Sequence, residues 1–279
     1  MKQVQDTSAV HQIFSMFHPE WYESIDRYQP SEELLRVVRP LMPDSWVLRR
    51  SSKWFHISPQ NNMLPRQGWK LHISATPTQC EAILQAVATI CITRGTAFKF
   101  SLDRFFTTVT TSKRWPREAS GKFITIYPLH EDDFRELAEI LYVRLQGFDG
   151  PYILSDKRYK DSHVVYYRYG GIDQIRQLSY RGYEDMMLTA PDGELVPDVR
   201  GPFWYLQPWV ANPFESNTPS DETSDAVLNN GRYRIEQAVG FSVSGGVYLA
   251  TDLQTNATVI IKEARPNTAL DKSGNDAIH

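Results

Sequence analysis

The sequence has few cysteines, no strong net charge and no long apolar run. Its 279 residues include only Cys80 and Cys91, which excludes a disulfide framework. No stretch of eighteen apolar residues is present, so no membrane-spanning helix is expected, and the first residues lack the layout of a signal peptide. A net charge of −3 and a pI near 6.2 disfavour a protein that coats nucleic acid. We therefore predict a cytoplasmic protein without a membrane or nucleic-acid partner.

The basic residues are concentrated in two segments of an otherwise acidic chain. Residues 99–122 contain six lysines and arginines against two acidic residues, a local charge of +4, and residues 157–181 contain the same numbers. The remainder of the chain therefore sums to −11. Two local excesses of positive charge indicate a site for a small anion rather than a surface for a bulk polyanion.

The order of apolar patterns predicts an α+β fold with a mixed sheet and packed helices. "WKLHISA" and "AFKFSL" have strand character, and apolar residues between them repeat at helical spacing. Thr76 and Pro77 suit the start of that helix, and Gly95 suits its end. The composition predicts one domain over residues 1–210, then a polar linker over 211–230 and a strand-rich segment over 231–279.

Polar residues in two of the predicted strands form the candidate site. Side chains alternate between the faces of a strand, so Lys70 and His72 share one face. Lys99 lies between two phenylalanines in the next strand, and we expect it to converge with that pair. A second His-Ile-Ser stretch carries His56, but the nearby Lys53 is out of phase with it and is predicted to point to the opposite face. His56 is therefore predicted to be structural.

These residue types can supply a base, an acid and an anion clamp. A lysine crowded by other cations can be neutral near pH 7, and a histidine can hand a proton to a leaving group. Arginine binds two phosphate oxygens at once through its guanidinium. No cluster of metal ligands is evident in the sequence. The combination favours metal-independent β-elimination of phosphate over phosphate hydrolysis.

Six stretches in order resemble a known family over residues 45–210. They are "MLPRQGWKLHISAT", "FKF", "SGKFITIYP", "GPYILSDKRY", "VVYYRYGG" and "DGELVPDVRGP". Together they resemble the N-terminal lyase domain of class III and IV lanthipeptide synthetases, which is in turn similar to bacterial effector phosphothreonine lyases.

The resemblance implies a role for each matching residue. Lys99 would remove the α-proton of phosphoserine or phosphothreonine, and His72 would protonate the departing phosphate. Lys70 would stabilise the enolate or a phosphate oxygen, while Tyr127 would orient or tune the base. The implied phosphate-binding residues are Arg117, Arg158 and Arg168, with Lys122 as a further candidate. The products would be dehydroalanine or dehydrobutyrine in a precursor peptide, formed without a cofactor.

The last segment resembles the opening of a protein kinase. Its stretch "VGFSVSGGVYLA" has Gly240, Gly245 and Val247 in the spacing of a glycine-rich loop, with Ser242 in place of the middle glycine, and Lys262 follows in "VIIK". The resemblance implies an incomplete kinase N-lobe that would contact ATP, with magnesium, only in a full-length kinase domain. We expect the chain to be a fragment of a larger synthetase, with kinase and cyclase domains as partners.

Three other readings of the sequence remain open at this point. The first domain could be a non-catalytic module that positions a phosphopeptide for the neighbouring kinase. Kinase activity in the last segment would need motifs that the chain does not contain. Nucleic-acid binding by the basic segments is disfavoured by the overall charge.

Overall fold

The computed structural model describes residues 28–113, 115–173, 175–178, 184–214, 227–270, 276 and 278. The first 27 residues of the predicted first domain lie outside the described residues. So do residues 215–226 of the predicted linker and residues 271–275 of the last segment.

Four α-helices are present in the described part of the chain. They are α1 (Glu33–Val38), α2 (Cys80–Thr93), α3 (Arg104–Thr110) and α4 (Glu131–Arg144). The two long helices, α2 and α4, have one apolar side each, and α4 begins with three acidic residues, which favour the positive end of the helix dipole. None of the helices in the described ranges is long and apolar enough to cross a membrane.

The strands form three sheets. The bounds are β1 (Trp46–Ser51), β2 (Trp54–Pro59), β3 (Gln67–Ile73), β4 (Ala97–Ser101), β5 (Ile124–Tyr127), β6 (Lys157–Arg158), β7 (Val165–Gly171), β8 (Ile175–Leu178), β9 (Glu184–Thr189), β10 (Leu195–Pro197), β11 (Val227–Leu228), β12 (Tyr233–Ser242), β13 (Gly245–Asp252) and β14 (Ala257–Lys262). The seven-stranded sheet has the order β1-β2-β4-β5-β3-β7-β6, a three-stranded sheet has the order β10-β9-β8, and a four-stranded sheet has the order β11-β12-β13-β14.

The α+β class is confirmed, with one difference in the sheet. Every ladder in the described residues is antiparallel, whereas the sequence predicted a mixed sheet. Strands β3 and β4 do run in the same direction across helix α2, but β5 lies between them and pairs with both. The predicted strand–helix–strand unit is therefore present. Its two strands do not pair with each other, because β5 lies between them and forms an antiparallel pair with each.

Helix α2 begins later than the sequence predicted. Its first residue is Cys80, because Pro77, Thr78 and Gln79 form a turn and the Thr76 N–H donates to the carbonyl of Asp149. Its end is as predicted, since Gly95 follows with a φ of +69° that favours glycine. Both cysteines are free and buried in this helix, which confirms that they do not form a disulfide.

The two faces of the seven-stranded sheet are chemically different. One face packs against α2 and α4 and carries the main hydrophobic core. It is formed by Phe55, Ile57, Leu71, Ile73, Phe98, Phe100, Ile124, Ile126, Val165 and Tyr167, all of them buried. The residues between them point to the other face, since side chains alternate along a strand. That second face carries the polar residues of the candidate site.

Both ends of the predicted linker contact other parts of the protein. Phe214 makes an edge-to-face contact with Tyr159, with ring centroids 4.7 Å apart, and also contacts Phe134 of α4. At the other end of the linker, Val227 and Leu228 form strand β11. Packing of the first part of the chain thus continues four residues past residue 210.

Candidate active site

A row of polar side chains crosses the seven-stranded sheet. Paired residues in antiparallel strands point to the same face, so one register line brings five side chains together. In order across β2, β4, β5, β3 and β7 they are His56, Lys99, Thr125, His72 and Tyr166. Lys99 and His72 are both opposite Thr125, so the residues predicted as base and acid lie on one face.

A second row lies two residues along the same face. Lys70 on β3 is opposite Arg168 on β7, and Tyr127 on β5 is opposite Ala97 on β4. Lys70 and Arg168 are each 6% exposed, although both carry formal charge. Such burial requires polar partners, because an unpaired charge in a low-dielectric interior is strongly unfavourable.

His72 is paired with a buried carboxylate. Its Nδ1 lies in close hydrogen-bonding contact with Oδ2 of Asp156, whose Oδ1 is 3.1 Å from Nζ of Lys122 and accepts a hydrogen bond from Ser155. Burial opposes the charge on Asp156, but His72 and Lys122 together hold the pKa of this carboxyl well below its usual range. Burial lowers the pKa of His72, while Asp156 opposes that shift. The carboxylate therefore both orients the imidazole and favours its protonated form.

Lys70 is held in a second network of buried charges. Its Nζ donates to the carbonyl of Gly171 at 2.8 Å. Asp198 accepts from Arg168 at 2.7 Å and from Arg200 at 2.9 Å. Burial lowers the pKa of Lys70 well below its usual value, the charge on Arg168 lowers it further, and Asp198 opposes the shift. Asp198 thus forms ion pairs with the guanidinium groups of Arg168 and Arg200, and all three charges act on the Lys70 amine.

The amine of Lys99 lies near two aromatic rings and several positively charged side chains. Its Nζ lies 4.8 Å from the ring centroid of Trp54 and 5.7 Å from that of Tyr127. Burial, together with the charges of Lys53, Arg200 and Lys122, lowers the pKa of Lys99 to about 7. A lysine whose pKa is near 7 is partly neutral at physiological pH, which a general base requires.

Cations exceed carboxylates around this face. The positively charged side chains are Lys53, Lys70, Lys99, Lys122, Arg168 and Arg200, and the carboxylates are Asp156, Asp198 and, acting on Lys53, Glu118. Six cations against three anions leave an excess of three positive charges when all are ionised. A phosphate dianion would relieve much of this repulsion, so the arrangement suits a small, doubly charged anion.

The remaining predicted phosphate ligands lie at the margins of this face. Arg158 is exposed on edge strand β6, opposite Tyr166 and so in line with His72. Arg117 stacks on Phe241 of β12, with its guanidinium carbon 4.4 Å from the ring centroid. Burial lowers the pKa of Arg117, and Arg265 is the largest of the charges that act on it. The roles of Arg117 and Arg158 as phosphate ligands stay predictions.

The predicted ATP-binding residues form a separate row in the four-stranded sheet. Gly240 is opposite Val247, and Val247 is opposite Lys262, so one face carries the glycine and the lysine. Gly245 has a φ of +153°, and a Cβ there would overlap the carbonyl oxygen of Glu263. The backbone thus requires glycine where the glycine-rich pattern has it. ATP contact stays a prediction.

No group of three or more metal-ligating side chains occurs among the described residues. Asp156 and Asp198 are instead paired with cationic side chains.

Comparison with known proteins decides the family. Residues 34–226 match the family model described as RamC, N-terminal domain, and this span is more than half of the chain. The chain belongs to the RamC N-terminal domain family. The family membership predicted from the motifs is therefore confirmed.

A curated relative extends the match beyond this domain. The "Probable SapB synthase" of Streptomyces coelicolor is 37% identical over 262 residues, which is 94% of this chain but 28% of the relative. The chain thus spans somewhat more than a quarter of the length of the relative it matches.

Solved structures of phosphothreonine lyases are similar to part of the chain at a low level. The OspF effector of Shigella flexneri is 17% identical, with a TM-score of 0.38, and 58% of this chain and 90% of that chain are covered. The Chromobacterium violaceum VirA (SpvC) effector is 22% identical, with a TM-score of 0.37, over 46% of this chain and 66% of that one. At these values the likeness is too low to carry a functional inference.

In this member of the RamC N-terminal domain family, the site contains several residues that the sequence-based prediction does not include. Asp156, Asp198 and Arg200 lie within the quoted motifs "SDKRY" and "PDVRG", but no role was assigned to them. Their position inside the matching motifs is the signal that the sequence offers, since their burial and their pairing with His72 and Arg168 depend on the tertiary structure.

The prediction for Lys53 is wrong. Strand β2 begins at Trp54, and Lys53 follows Ser52, whose φ is +50°, in the turn before it. Strand alternation therefore does not apply to Lys53, whose charge acts on Lys99. His56, predicted to be structural, lies directly opposite Lys99.

Proposed function

We propose that the chain catalyses β-elimination of phosphate from phosphoserine or phosphothreonine in a peptide. The observation that carries the proposal is the single sheet face on which Lys99, with a pKa near 7, meets the His72–Asp156 pair within an excess of positive charge. A base, an acid and an anion-binding field are the three parts that this reaction needs.

Each proton and each electron pair in the proposed reaction has a defined donor and acceptor. Lys99 takes the α-proton, and the electrons of the Cα–H bond form the Cα=Cβ bond as the Cβ–O bond breaks. The phosphate leaves with the electrons of that bond and takes a proton from His72. The product is dehydroalanine or dehydrobutyrine together with inorganic phosphate. No oxidant, metal or cofactor enters this balance.

The protonation state of His72 depends on the substrate in this scheme. Burial keeps the imidazole neutral in the free site, whereas a phosphate dianion brings about two negative charges close to it. Binding of the dianion would therefore raise the pKa of His72 and load the acid with its proton. The carboxylate of Asp156 stabilises the imidazolium that results.

The cations stabilise charge that develops in the transition state. Lys70 can stabilise the enolate oxygen or a phosphate oxygen, and Arg168 holds the dianion together with Arg117 and Arg158. Lys122 adds positive charge next to His72. Tyr127, whose ring contacts Lys99, orients the base. Burial raises the pKa of Tyr127, so its hydroxyl stays protonated at neutral pH.

The substrate that we propose is a ribosomally made lanthipeptide precursor. The relation to a probable SapB synthase supports a peptide substrate, and the C-terminal segment supports a neighbouring kinase that would supply the phosphate. In that arrangement Gly240, Gly245, Val247 and Lys262 would contact ATP, with magnesium, in a complete kinase domain. A cyclase would then use the dehydrated product.

A phosphopeptide assay tests the proposal. The chain is incubated with a phosphoserine peptide in the absence of ATP and in the presence of a metal chelator, and the peptide is analysed by mass spectrometry. The expected result is a loss of about 98 Da, the mass of phosphoric acid, and the appearance of an alkene that adds a thiol.

Lys99→Met separates catalysis from binding in this assay. This variant should bind the phosphopeptide and leave it intact. If the wild-type chain also binds the phosphopeptide without converting it, the non-catalytic positioning module is the correct function.

A further inference from the structure

Two lysines share one tryptophan at the end of the polar face. Nζ of Lys53 lies 5.7 Å from the ring centroid of Trp54, and Nζ of Lys99 lies 4.8 Å from the same centroid. Lys53 also lies over Trp115, at 4.6 Å. The turn at Ser52 and the two indole rings thus hold a second amine close to the proposed base.

No carboxylate neutralises this pair among the described residues. The ion pairs of the site use Lys122 with Asp156 and the two arginines with Asp198. Glu118 acts on Lys53 at longer range, and its charge offsets only part of the shift that burial and Lys122 produce. Burial lowers the pKa of Lys53 to about 8. Both amines therefore titrate close to neutrality.

The groups that face Lys99 come from every neighbouring segment. They are Lys53 from the turn before β2, His56 from β2, Lys122 and Tyr127 from β5 and the residues before it, and Arg200 from the loop after β10. His56 is neutral near pH 7, because burial and the charge of Lys99 lower its pKa to about 4. Lys53 is the largest of the charges that act on Lys99.

The ring contacts of Lys53 favour its charged form. An indole face attracts an ammonium group, so Trp54 and Trp115 fix Lys53 in place without removing its charge. A purely structural side chain at this position would gain more from apolar character, since burial of an unpaired ammonium is unfavourable.

We propose that Lys53 is a positioning residue for the reaction, which keeps the Lys99 amine unprotonated at neutral pH by charge repulsion across Trp54. This inference rests on the proposed function, in which Lys99 accepts the α-proton. Lys53 itself does not touch the substrate and takes no proton from it. Its role is to raise the fraction of chains in which the base is free to act.

The first test measures the protonation of Lys99 without requiring any activity. Trace acetylation with acetic anhydride across a pH series, followed by peptide mass spectrometry, gives the apparent pKa of each lysine amine, because only the neutral amine reacts. We expect Lys53→Met to raise the apparent pKa of Lys99 by about one unit. Lys53→Arg retains the charge and should leave the pKa of Lys99 near its wild-type value.

Lys160→Met is the matched control. Lys160 is exposed and pairs with Glu139 of α4, which packs on the opposite face of the sheet. The same chemical change there should leave the pKa of Lys99 in place.

The second test is the pH dependence of elimination. A rise of one unit lowers the neutral fraction of Lys99 about eightfold at about pH 6.5 and by less than about twofold at about pH 9.5. Lys53→Met should therefore lose kcat/KM at low pH and recover it at high pH, whereas Lys53→Arg should follow the wild-type profile.

Two acetylation results and one kinetic result would overturn the proposal. One is an unchanged acetylation profile of Lys99 in Lys53→Met, and the other is a shift of equal size in Lys53→Arg. A loss of kcat/KM that is uniform across pH would likewise assign Lys53 a structural role. Because acetylation reports on Lys99 in an inactive chain as well, a chain without lyase activity would refute the proposed function and still decide this inference.

Discussion

A lysine amine acts as a base near neutral pH only if its surroundings penalise the ammonium form. Lys99 meets this condition through burial and through three neighbouring cations, while the attraction of an ammonium group to the rings of Trp54 and Tyr127 acts in the opposite direction. Burial also lowers the pKa of His72, the proposed acid, but its hydrogen-bond partner is a carboxylate, and Asp156 opposes the shift by favouring the charged form. Neighbouring cations thus disfavour the charge on the base, whereas a carboxylate favours the charge on the acid, as a base and an acid that work together require.

At the residue scale, the His72–Asp156 pair leads to a prediction. Asp156→Asn removes the charge that favours the imidazolium, so protonation of the leaving phosphate should become slower. We expect kcat for a phosphoserine peptide to fall about 100-fold, within the range of general acid catalysis, with KM changed only a few-fold. Steady-state kinetics combined with the pKa of His72 from NMR titration would measure both effects.

A second pair in the chain supplies the control for this variant. Asp149 contacts His163 with a separation of 2.6 Å, but both side chains are largely exposed and lie outside the site. Asp149→Asn should retain activity within about twofold, because exposed pairs contribute little. Full activity of Asp156→Asn would refute the role given to this carboxylate.

At the element scale, alternation along strands brings the site together. Lys70, His72 and Lys99 could be assigned to one face from the sequence, because a two-residue period leaves only two choices. The same reasoning failed at Lys53, since the residue lies in a turn and the boundary of β2 was not visible in the sequence. It also could not reveal that β5 separates β3 from β4, which depends on pairing between distant segments.

The hairpin between β12 and β13 yields a prediction at this scale. A Cβ at position 245 would overlap the carbonyl of Glu263, and the φ of +153° is unfavourable for any L-amino acid with a side chain. We expect Gly245→Ala to destabilise the four-stranded sheet by about 3 kcal/mol. Hydrogen exchange followed by mass spectrometry should show faster exchange over residues 233–262.

Gly240 is the matched glycine for this experiment. A Cβ there meets nothing within 4 Å, so Gly240→Ala should exchange like the wild type. Equal exchange in the two alanine variants would show that the close approach at Gly245 does not limit the stability of the hairpin.

At the scale of the whole molecule, the C-terminal segment is packed onto the first part of the chain. Val243, at the tip of the β12–β13 hairpin, is 1% exposed and belongs to the same hydrophobic cluster as the sheet and its helices. The Ala269 N–H donates to the carbonyl of Thr111 at 2.9 Å, and Phe241 stacks on Arg117. The predicted glycine-rich loop is thus also a docking element, which sequence patterns alone did not indicate.

Docking of this hairpin can be tested with one substitution. Val243→Asp places an unpaired carboxylate in the hydrophobic cluster, so we expect a loss of about 3 kcal/mol in the free energy that holds the hairpin in place. Limited proteolysis should then cut within residues 227–262 while the first part of the chain stays protected.

Val239 lies on β12 of the same hairpin and provides the comparison. It is 62% exposed, so Val239→Asp should leave the cleavage pattern unchanged. If the two aspartate variants are cleaved alike, the hairpin tip does not anchor the segment.

The sequence by itself determined the local features of this protein. Strand alternation placed Lys70 and His72 together, helical periodicity and Gly95 indicated α2, and the spacing of short motifs indicated the family. Each of these depends on residues that are close together in the chain.

Only the tertiary structure decided what surrounds those residues. The order of strands, the carboxylates at Asp156 and Asp198, and the arrival of Lys53 and Arg200 beside Lys99 all join segments that are far apart in the chain. Burial and the sum of distant charges set the pKa of a catalytic group, and neither is encoded in the spacing of its neighbours.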